Sequence, residues 1–393
     1  MLLLTLLACK GDDATPTDDT APVVDTQPVA VPLDVACQLV EDGYGPAGAV
    51  EVDVEVVTSG LTIPWGVAFL PDGAMLITER DGLLRRVEAD GTLAGTPVAT
   101  VAVSASGEGG LLGIALDPEF ESNRAFYLYY TSDDGGSHNQ VERWTLAESG
   151  LAASADRVIL DDIPAGLYHN GGRLRFGPEG ALYVTTGDAR TPGNSQDMGT
   201  LAGKILRVEP DGSVPADNPD PSSPVYVSGV RNSQGIDWRD DGRMVITDHG
   251  PSGELGRTGH DEINVAEPGF NLGWPEVYRC DEGEGLHPPS MTWQNAMPPG
   301  GHAIYRGTEI PEWQGDVIIG VMGFNSPNQP HLHRITLSDD GNVTLSETYL
   351  RGEYGRLRDV LMGPDGGLYV TTSNCDGRGT CGTGDLLLRV GRR

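Results

Sequence analysis

Three sets of residues in this sequence have types and spacings that could do chemistry. The first is His169 with Asp188. His169 stands before the apolar run around Leu174, and Asp188 closes the next run in Thr185-Thr-Gly-Asp188. Gly177-Pro-Glu-Gly180 between them reads as a turn, so two antiparallel strands joined there bring both ends together. An aspartate that orients an imidazole and holds its tautomer makes a general base, and the same pair also serves as a purely structural hydrogen bond. The second set is Arg231, Arg356 and Arg358. Guanidinium forks match carboxylates bidentately, so if these three converge they imply a small, multiply anionic ligand. The alternative is that each pairs with a neighbouring acid such as Asp359 or Asp237. The third set is Asp248-His249-Gly250-Pro251, which leads into a Gly-rich insertion ending in Gly259-His-Asp-Glu-Ile-Asn264. Carboxylates and loop carbonyls of this kind are hard oxygen ligands suited to Ca²⁺, although the spacing is not that of an EF-hand. No serine-nucleophile elbow, P-loop or dinucleotide Gly motif is present.

These sets share elements that repeat. An apolar strand, a Pro/Asp/Gly turn, a β-branched strand and a third strand often ending in Arg-Val recur six times. The copies start at Trp65, Leu112, Arg173, Gly235, His302 and Leu357, the fifth being the least regular. The second strands alternate with period two, as in Leu182 and Val184 against Tyr183 and Thr185. Sheets that cannot bury both faces alone predict an all-β fold, a six-bladed β-propeller with antiparallel four-stranded blades. Fourth strands fall in the variable segments, for example 52–57 and 157–160. A pair of β-sandwiches is the alternative, but equivalent turns at six places favour radial repetition. In a propeller the positions just before each first strand ring one mouth of the central channel. Here they are Pro64, Glu108, His169-Asn170, Arg231-Asn232, Gly301-His302, and Arg356 with Arg358. That ring is the expected ligand site.

The 393 residues carry 57 acids against 26 bases, a net charge of −31, with only 6% aromatics. Such a balance argues against a phosphate-backbone partner, so no nucleic acid is expected. There is no run of 18 apolar residues. The opening Met-Leu-Leu-Leu-Thr-Leu-Leu-Ala-Cys resembles a lipoprotein signal whose lipobox ends at Cys9, the expected lipidation site. Residues 10–34 are rich in Asp, Thr, Pro and Val and read as a disordered tether, leaving 35–393 as the propeller domain. The expected location is the bacterial cell envelope, periplasmic or surface-facing, with a lipid anchor to the membrane. Setting Cys9 aside leaves four cysteines in an oxidising compartment. Cys375 and Cys381 flank a turn-like Asp-Gly-Arg-Gly-Thr and are expected to pair, which leaves Cys37 with Cys280.

At this point the chain resembles the soluble pyrroloquinoline quinone (PQQ)-dependent aldose sugar dehydrogenases, the glucose/sorbosone dehydrogenase family. The likeness spans roughly residues 55–391. It rests on Gly107-Glu-Gly-Gly-Leu-Leu-Gly113, His169-Asn-Gly-Gly-Arg-Leu174, Gly187-Asp188, Gly203-Lys-Ile-Leu-Arg207, Arg231-Asn-Ser-Gln-Gly235, His249-Gly-Pro251 with Asp261-Glu-Ile-Asn264, Asn271-Leu-Gly-Trp-Pro275 and Arg356-Leu-Arg-Asp-Val360. The resemblance implies oxidation of the anomeric hydroxyl of an aldose to a lactone, with hydride passing to PQQ, Ca²⁺ assistance, and electrons leaving to an external acceptor. It makes His169 the base, Asp188 its support and Arg231 the group that polarises the quinone. Asn232 would bind the cofactor, Arg356 and Arg358 would hold its carboxylates, and Trp293 matches an aromatic near the substrate. Main-chain carbonyls of Gly250 and Pro251 would ligate Ca²⁺, with Asp261 and Glu262 as further candidates. Three positions depart from the glucose-oxidising members. Glu108 replaces a Gln that contacts cofactor or substrate, no Lys stands near Met322–Gly323, and Tyr168 replaces an Asp. They imply a broad or unknown aldose range in place of glucose specificity. The alternatives are a non-enzymatic propeller that binds a carbohydrate or protein partner, and a Ca²⁺-dependent lactonase-type propeller.

Overall fold

The computed structural model describes residues 32–323 and 329–393. Cys9 and most of the expected tether lie outside the described residues. Within them, Pro32–Arg393 forms one compact unit. It is a six-bladed β-propeller of four-stranded antiparallel sheets, whose one α-helix among the described residues is the single turn Phe120–Asn123.

The inner strands of the blades are Pro64–Phe69, Leu111–Leu116, Leu174–Phe176, Ser233–Trp238, Pro299–Ile304 and Leu357–Met362. From each, the chain steps outward through successive hairpins, for example Leu182–Thr185, Ile205–Val208 and Val225–Val227 in the third blade. The ring is closed by Val52–Leu61, which pairs with Asp385–Arg392 as the outer strand of the last blade. The segment 52–57 is thus a fourth strand, supplied from the far end of the chain. Residues 157–160 fall in Ala153–Pro164, the outer strand of the second blade.

The alternation seen in the sequence is real, but both faces are buried. Leu182 and Val184 pack with Tyr127, Tyr129 and Val141 of the second blade. Tyr183 packs with Ile236, Met244 and Ile246 of the fourth. Each sheet is sandwiched between two others, so alternate residues serve different interfaces and none of this strand faces water. Burial of this kind stabilises by about 25 cal/mol per Å² of apolar area, which is why single blades are not independent units.

Both expected disulfides are present, Cys37–Cys280 and Cys375–Cys381. The first ties the N-terminal segment to the fourth blade, where Gln38–Val40 adds a fifth, parallel strand against Met291–Trp293. One mouth position is corrected by the register. Gly301 and His302 lie inside the strand Pro299–Ile304. His302 is therefore buried in the channel beside Asp237, Arg173 and Arg175, and burial pushes its imidazole down to about 3. The fifth blade instead offers Ala296, Pro298 and Met322 to the mouth.

Candidate active site

A cavity of about 350 Å³ opens at the mouth where these strands begin. His169, Arg231, Asn232, Glu108 and Arg356 line it, with Gly250, Pro251 and Asp261. A smaller cavity shares Glu108, His249, Met322, Arg356 and Arg378 with it and reaches Trp65, Arg80, Gln234 and Arg358.

The site is assembled by bonds between the starts of blades. Asp248 ends the second strand of the fourth blade, and its two oxygens accept the backbone N–H groups of Arg231 at 2.8 Å and Asn232 at 2.6 Å. Burial raises that carboxyl to about 6, against the pull of those two donors and the Arg231 charge. Asn232 Oδ1 accepts from Gly171 N–H at 3.0 Å, joining the fourth blade to the third. Gly187 lies so close to this crossing that a Cβ there would stand 2.1 Å from the His169 carbonyl oxygen. His169 itself adopts φ +66°, a left-handed conformation that costs energy for a residue with a Cβ and concentrates at functional sites.

The imidazole sits in a chain of four residues. Trp274 Nε1–H donates to Asp188 Oδ2 at 2.9 Å. His169 Nδ1 lies 2.7 Å from Asp188 Oδ1. Arg231 Nη2 lies 2.9 Å from His169 Nε2. Asp188 is completely buried, and its Oδ1 also accepts from Arg190 N–H at 2.7 Å. A guanidinium only donates, so Nε2 carries the lone pair and Nδ1–H points at Asp188. Arg231 also donates to Glu254 Oε1 at 3.0 Å and to the His249 carbonyl at 3.1 Å.

Glu108 is paired. Its Oε2 accepts from the His169 backbone N–H at 3.0 Å, and its Oε1 faces Arg378 at 3.4 Å. Burial pushes this carboxyl up, but that N–H, His249, Arg378 and His169 outweigh it and hold it below the usual range. Glu108 is thus an anion in the wall. His249 donates Nε2–H to the Pro299 carbonyl at 2.7 Å, and burial pushes its imidazole down to about 3 against the charge of Glu108.

The arginines converge, and each also meets an acid, as the alternative reading had it, though neither Asp359 nor Asp237: Arg231 meets Glu254, and Arg356 and Arg358 share Asp376. Arg356 Nε and Nη2 both donate to Asp376 Oδ2, at 3.1 and 2.9 Å, while Nη1 meets the carbonyls of Met322 and Gly323. Arg358 lies 3.7 Å from the same oxygen. Burial pushes Arg358 down to about 10, with Asp376 opposing. Asp359 is taken by Arg173 at 2.8 Å, and Asp237 by the Ile304 N–H at 2.7 Å. Four guanidiniums (Arg190, Arg231, Arg356, Arg378) line the main cavity against three carboxylates (Glu108, Glu254, Asp261). Nε atoms of Arg231 and of Arg80 are buried without a hydrogen-bond partner.

Gly250 and Pro251 line the cavity. Asp261 Oδ1 accepts from Gly250 N–H at 3.0 Å and Oδ2 from Met297 N–H at 2.6 Å, so this carboxylate fixes the loop through both oxygens. Burial raises it to about 6. Glu262 lies on the strand Asp261–Ala266 outside the cavity lining, and burial raises its carboxyl well above the usual range. Among the described residues no group of three or more His, Cys, Asp or Glu could hold a metal ion. Trp293 is also displaced from expectation. It is fully buried in the fourth blade with Tyr44, Met291 and Ile319, because its strand is interior and its ring fills the space between blades.

Sequence reasoning missed Trp274, Glu254, Asp376, Arg190 and Arg378. Asp376 and Arg378 lie between Cys375 and Cys381, and that short crosslinked loop was the available signal. Trp274 stands in the motif Asn271-Leu-Gly-Trp-Pro275, whose spacing alone assigns it no role. Glu254 lies in the insertion after Pro251 and carries no local signal.

A model of the glucose/sorbosone dehydrogenase family matches residues 61–389. The aldose sugar dehydrogenase YliI of Escherichia coli K12 is 31% identical, over 84% of this chain and 92% of its own length. The PQQ-bound aldose sugar dehydrogenase of Streptomyces coelicolor is 38% identical with a TM-score of 0.76, covering 88% of this chain and 100% of that one. A candidate oxidoreductase (glucose dehydrogenase) of Thermus thermophilus is 42% identical with a TM-score of 0.78, covering 86% of this chain and 99% of that one.

Proposed function

This chain belongs to the glucose/sorbosone dehydrogenase family, and on that premise we propose that it is a quinoprotein oxidising the anomeric hydroxyl of aldose sugars to lactones. The observation that carries the reading is the chain Trp274–Asp188–His169–Arg231 at the wall of an arginine-lined cavity.

PQQ is a tricarboxylate, and the residues present fit such a group. Arginines from several blades converge, and Arg80 and Arg231 each keep a buried Nε without a partner. Arg356, Arg358 and Asn232 would hold the cofactor. The missing Lys near Gly323 is offset in charge by Arg378, which leans on Glu108. The carbonyl oxygens of Gly250 and Pro251 would hold Ca²⁺, with Asp261 as the brace of their loop and not as a ligand. When bound, PQQ supplies the two-electron, hydride-accepting quinone, with Ca²⁺ as Lewis acid.

The protein's own part is proton chemistry and positioning. His169 Nε2 receives the anomeric hydroxyl proton. Asp188 holds the required tautomer and stabilises the imidazolium that forms, while Trp274 and the Arg190 N–H fix Asp188 in turn. Arg231 places positive charge where negative charge develops. Tyr168, with Arg190 at 5.4 Å and Arg378 at 5.8 Å from its ring, forms the rim that a sugar meets. The electrons leave to an external acceptor. We further infer attachment to the bacterial cell envelope through Cys9, a reading supported by the opening sequence and by two disulfides, which belong to an oxidising compartment.

The test is titration of EDTA-treated protein with PQQ, with and without Ca²⁺, followed by dye reduction with a panel of aldoses. Tight Ca²⁺-dependent binding with turnover is expected. No binding at micromolar PQQ overturns the reading in favour of a binding propeller.

A further inference from the structure

Oxidising one hydroxyl and passing its two electrons to an external acceptor sends two protons to water, and the one taken from the hydroxyl rests first on His169 Nε2. Asp188 has no route out. It is completely buried, and its oxygens are occupied by His169, the Arg190 N–H and Trp274. Glu108 meets the backbone N–H of His169 and not the ring.

Glu254 is placed differently. Its Oε1 lies 3.6 Å from His169 Nε2 and 3.0 Å from Arg231 Nη2. Its Oε2 accepts from the Ser252 N–H at 2.6 Å. Its side chain is 18% exposed against 7% for His169, so the carboxylate spans the buried base and the rim. The charged groups facing it are Arg231 and His169. The insertion that carries it is anchored: Arg257 donates to the Pro275 carbonyl at 2.6 Å and lies over the Tyr278 ring at 5.1 Å. Tyr278 in turn donates to the Thr258 carbonyl at 2.7 Å.

Resting on the assignment of His169 as base, we propose that Glu254 is the proton exit of this site, receiving the proton from Nε2 and passing it to bulk water. The anomeric O–H bond breaks as Nε2–H forms; the bound quinone would take the sugar's hydride and then give its two electrons to the external acceptor and its proton to water. The Nε2–H bond then breaks as an O–H forms on Glu254, directly after a small side-chain rotation or through one water. A solvent base removes that proton, and both residues regain their starting charge. Between turnovers burial pushes the Glu254 carboxyl up, but Arg231 and the Ser252 N–H pull it below its ordinary value, so it returns to the accepting form.

The experiment uses the PQQ-loaded protein, the best aldose of a panel and an electron acceptor that binds no proton, in weak buffer with a pH-indicator dye. In the wild type, two protons appear for each pair of electrons passed on. In Glu254→Gln, release and steady-state turnover slow by about tenfold or more, and concentrated formate or imidazole restores both. The variant's melting temperature stays at the wild-type value, and its PQQ affinity does not fall. Wild-type release in the variant, or a loss that no buffer rescues, overturns the proposal. Turnover retained in His169→Gln overturns the base assignment and this proposal with it. A dead His169→Gln beside a normal Glu254→Gln overturns the exit alone.

Discussion

Arg231 Nη2 and His169 Nε2 stand 2.9 Å apart, and only the histidine can accept. The lone pair that is to take the proton is the one Arg231 caps, so the guanidinium must turn aside, toward Glu254 and the His249 carbonyl, before a hydroxyl reaches it. Removing the imidazole in His169→Gln should lower kcat by about 10² to 10⁴. Asp188→Asn should also lower it, by freeing the tautomer. PQQ affinity should change little in either. Steady-state dye reduction and cofactor titration check this pair.

Trp274 reaches Asp188 from 86 positions away in sequence to donate one hydrogen bond. Trp274→Phe keeps an aromatic ring and deletes the donor. A bond to a charged group contributes about 1.5–3 kcal/mol, so kcat should fall at least about tenfold. The sugar KM should hold, and a changed KM with unchanged kcat would reject the role.

Glu108 is an anion in a site expected to take a tricarboxylate. Glu108→Gln should tighten PQQ binding, about threefold or more, by removing like-charge repulsion. Arg358→Ala should weaken it about tenfold or more, through lost charge-assisted bonding. EDTA should weaken it in both variants and in the wild type. Absorbance titrations at fixed ionic strength read all three.

The two disulfides should act on different observables. Cys37–Cys280 closes a separation of 243 residues, so Cys37→Ser should destabilise by about 2–5 kcal/mol with the cavity intact. Cys375–Cys381 holds the short loop that carries Asp376 and Arg378. Cys381→Ser should therefore weaken PQQ binding with a smaller effect on melting temperature. Thermal melts beside cofactor titrations separate the two.

Burial holds the His331 imidazole near about 4 in the folded chain. Unfolded, it titrates at about 6.5. The unfolded chain therefore takes up this proton first as pH falls. The stability it contributes is complete above about 6.5 and is lost on acidification toward about 4. Denaturant melts between these limits should show a shallower loss in His331→Gln than in the wild type, by up to about 1.4 kcal/mol per pH unit. Buried Asp248 and Asp261, raised to about 6, act in the opposite direction in both proteins and cancel, so the difference reads His331 together with His333, to which it is hydrogen-bonded at 3.0 Å.

The sequence by itself determined the propeller. Six copies of one strand pattern with equivalent turns bury both faces of every sheet when they close into a ring, and the pattern is local. It also determined which polar residues stand at strand starts, hence the meeting of His169, Arg231, Asn232 and Arg356 at one mouth, and the two cysteine pairs. The tertiary structure alone decided which groups pair across that mouth. Asp376 holds Arg356 in place of Asp359, which Arg173 claims from 186 positions away. Trp274 enters the site, while Trp293 is sealed between blades and His302 turns into the channel. These outcomes depend on side-chain direction and register between blades far apart in sequence. A two-residue period carries no information about either, so the repeats located the site and only their packing wired it.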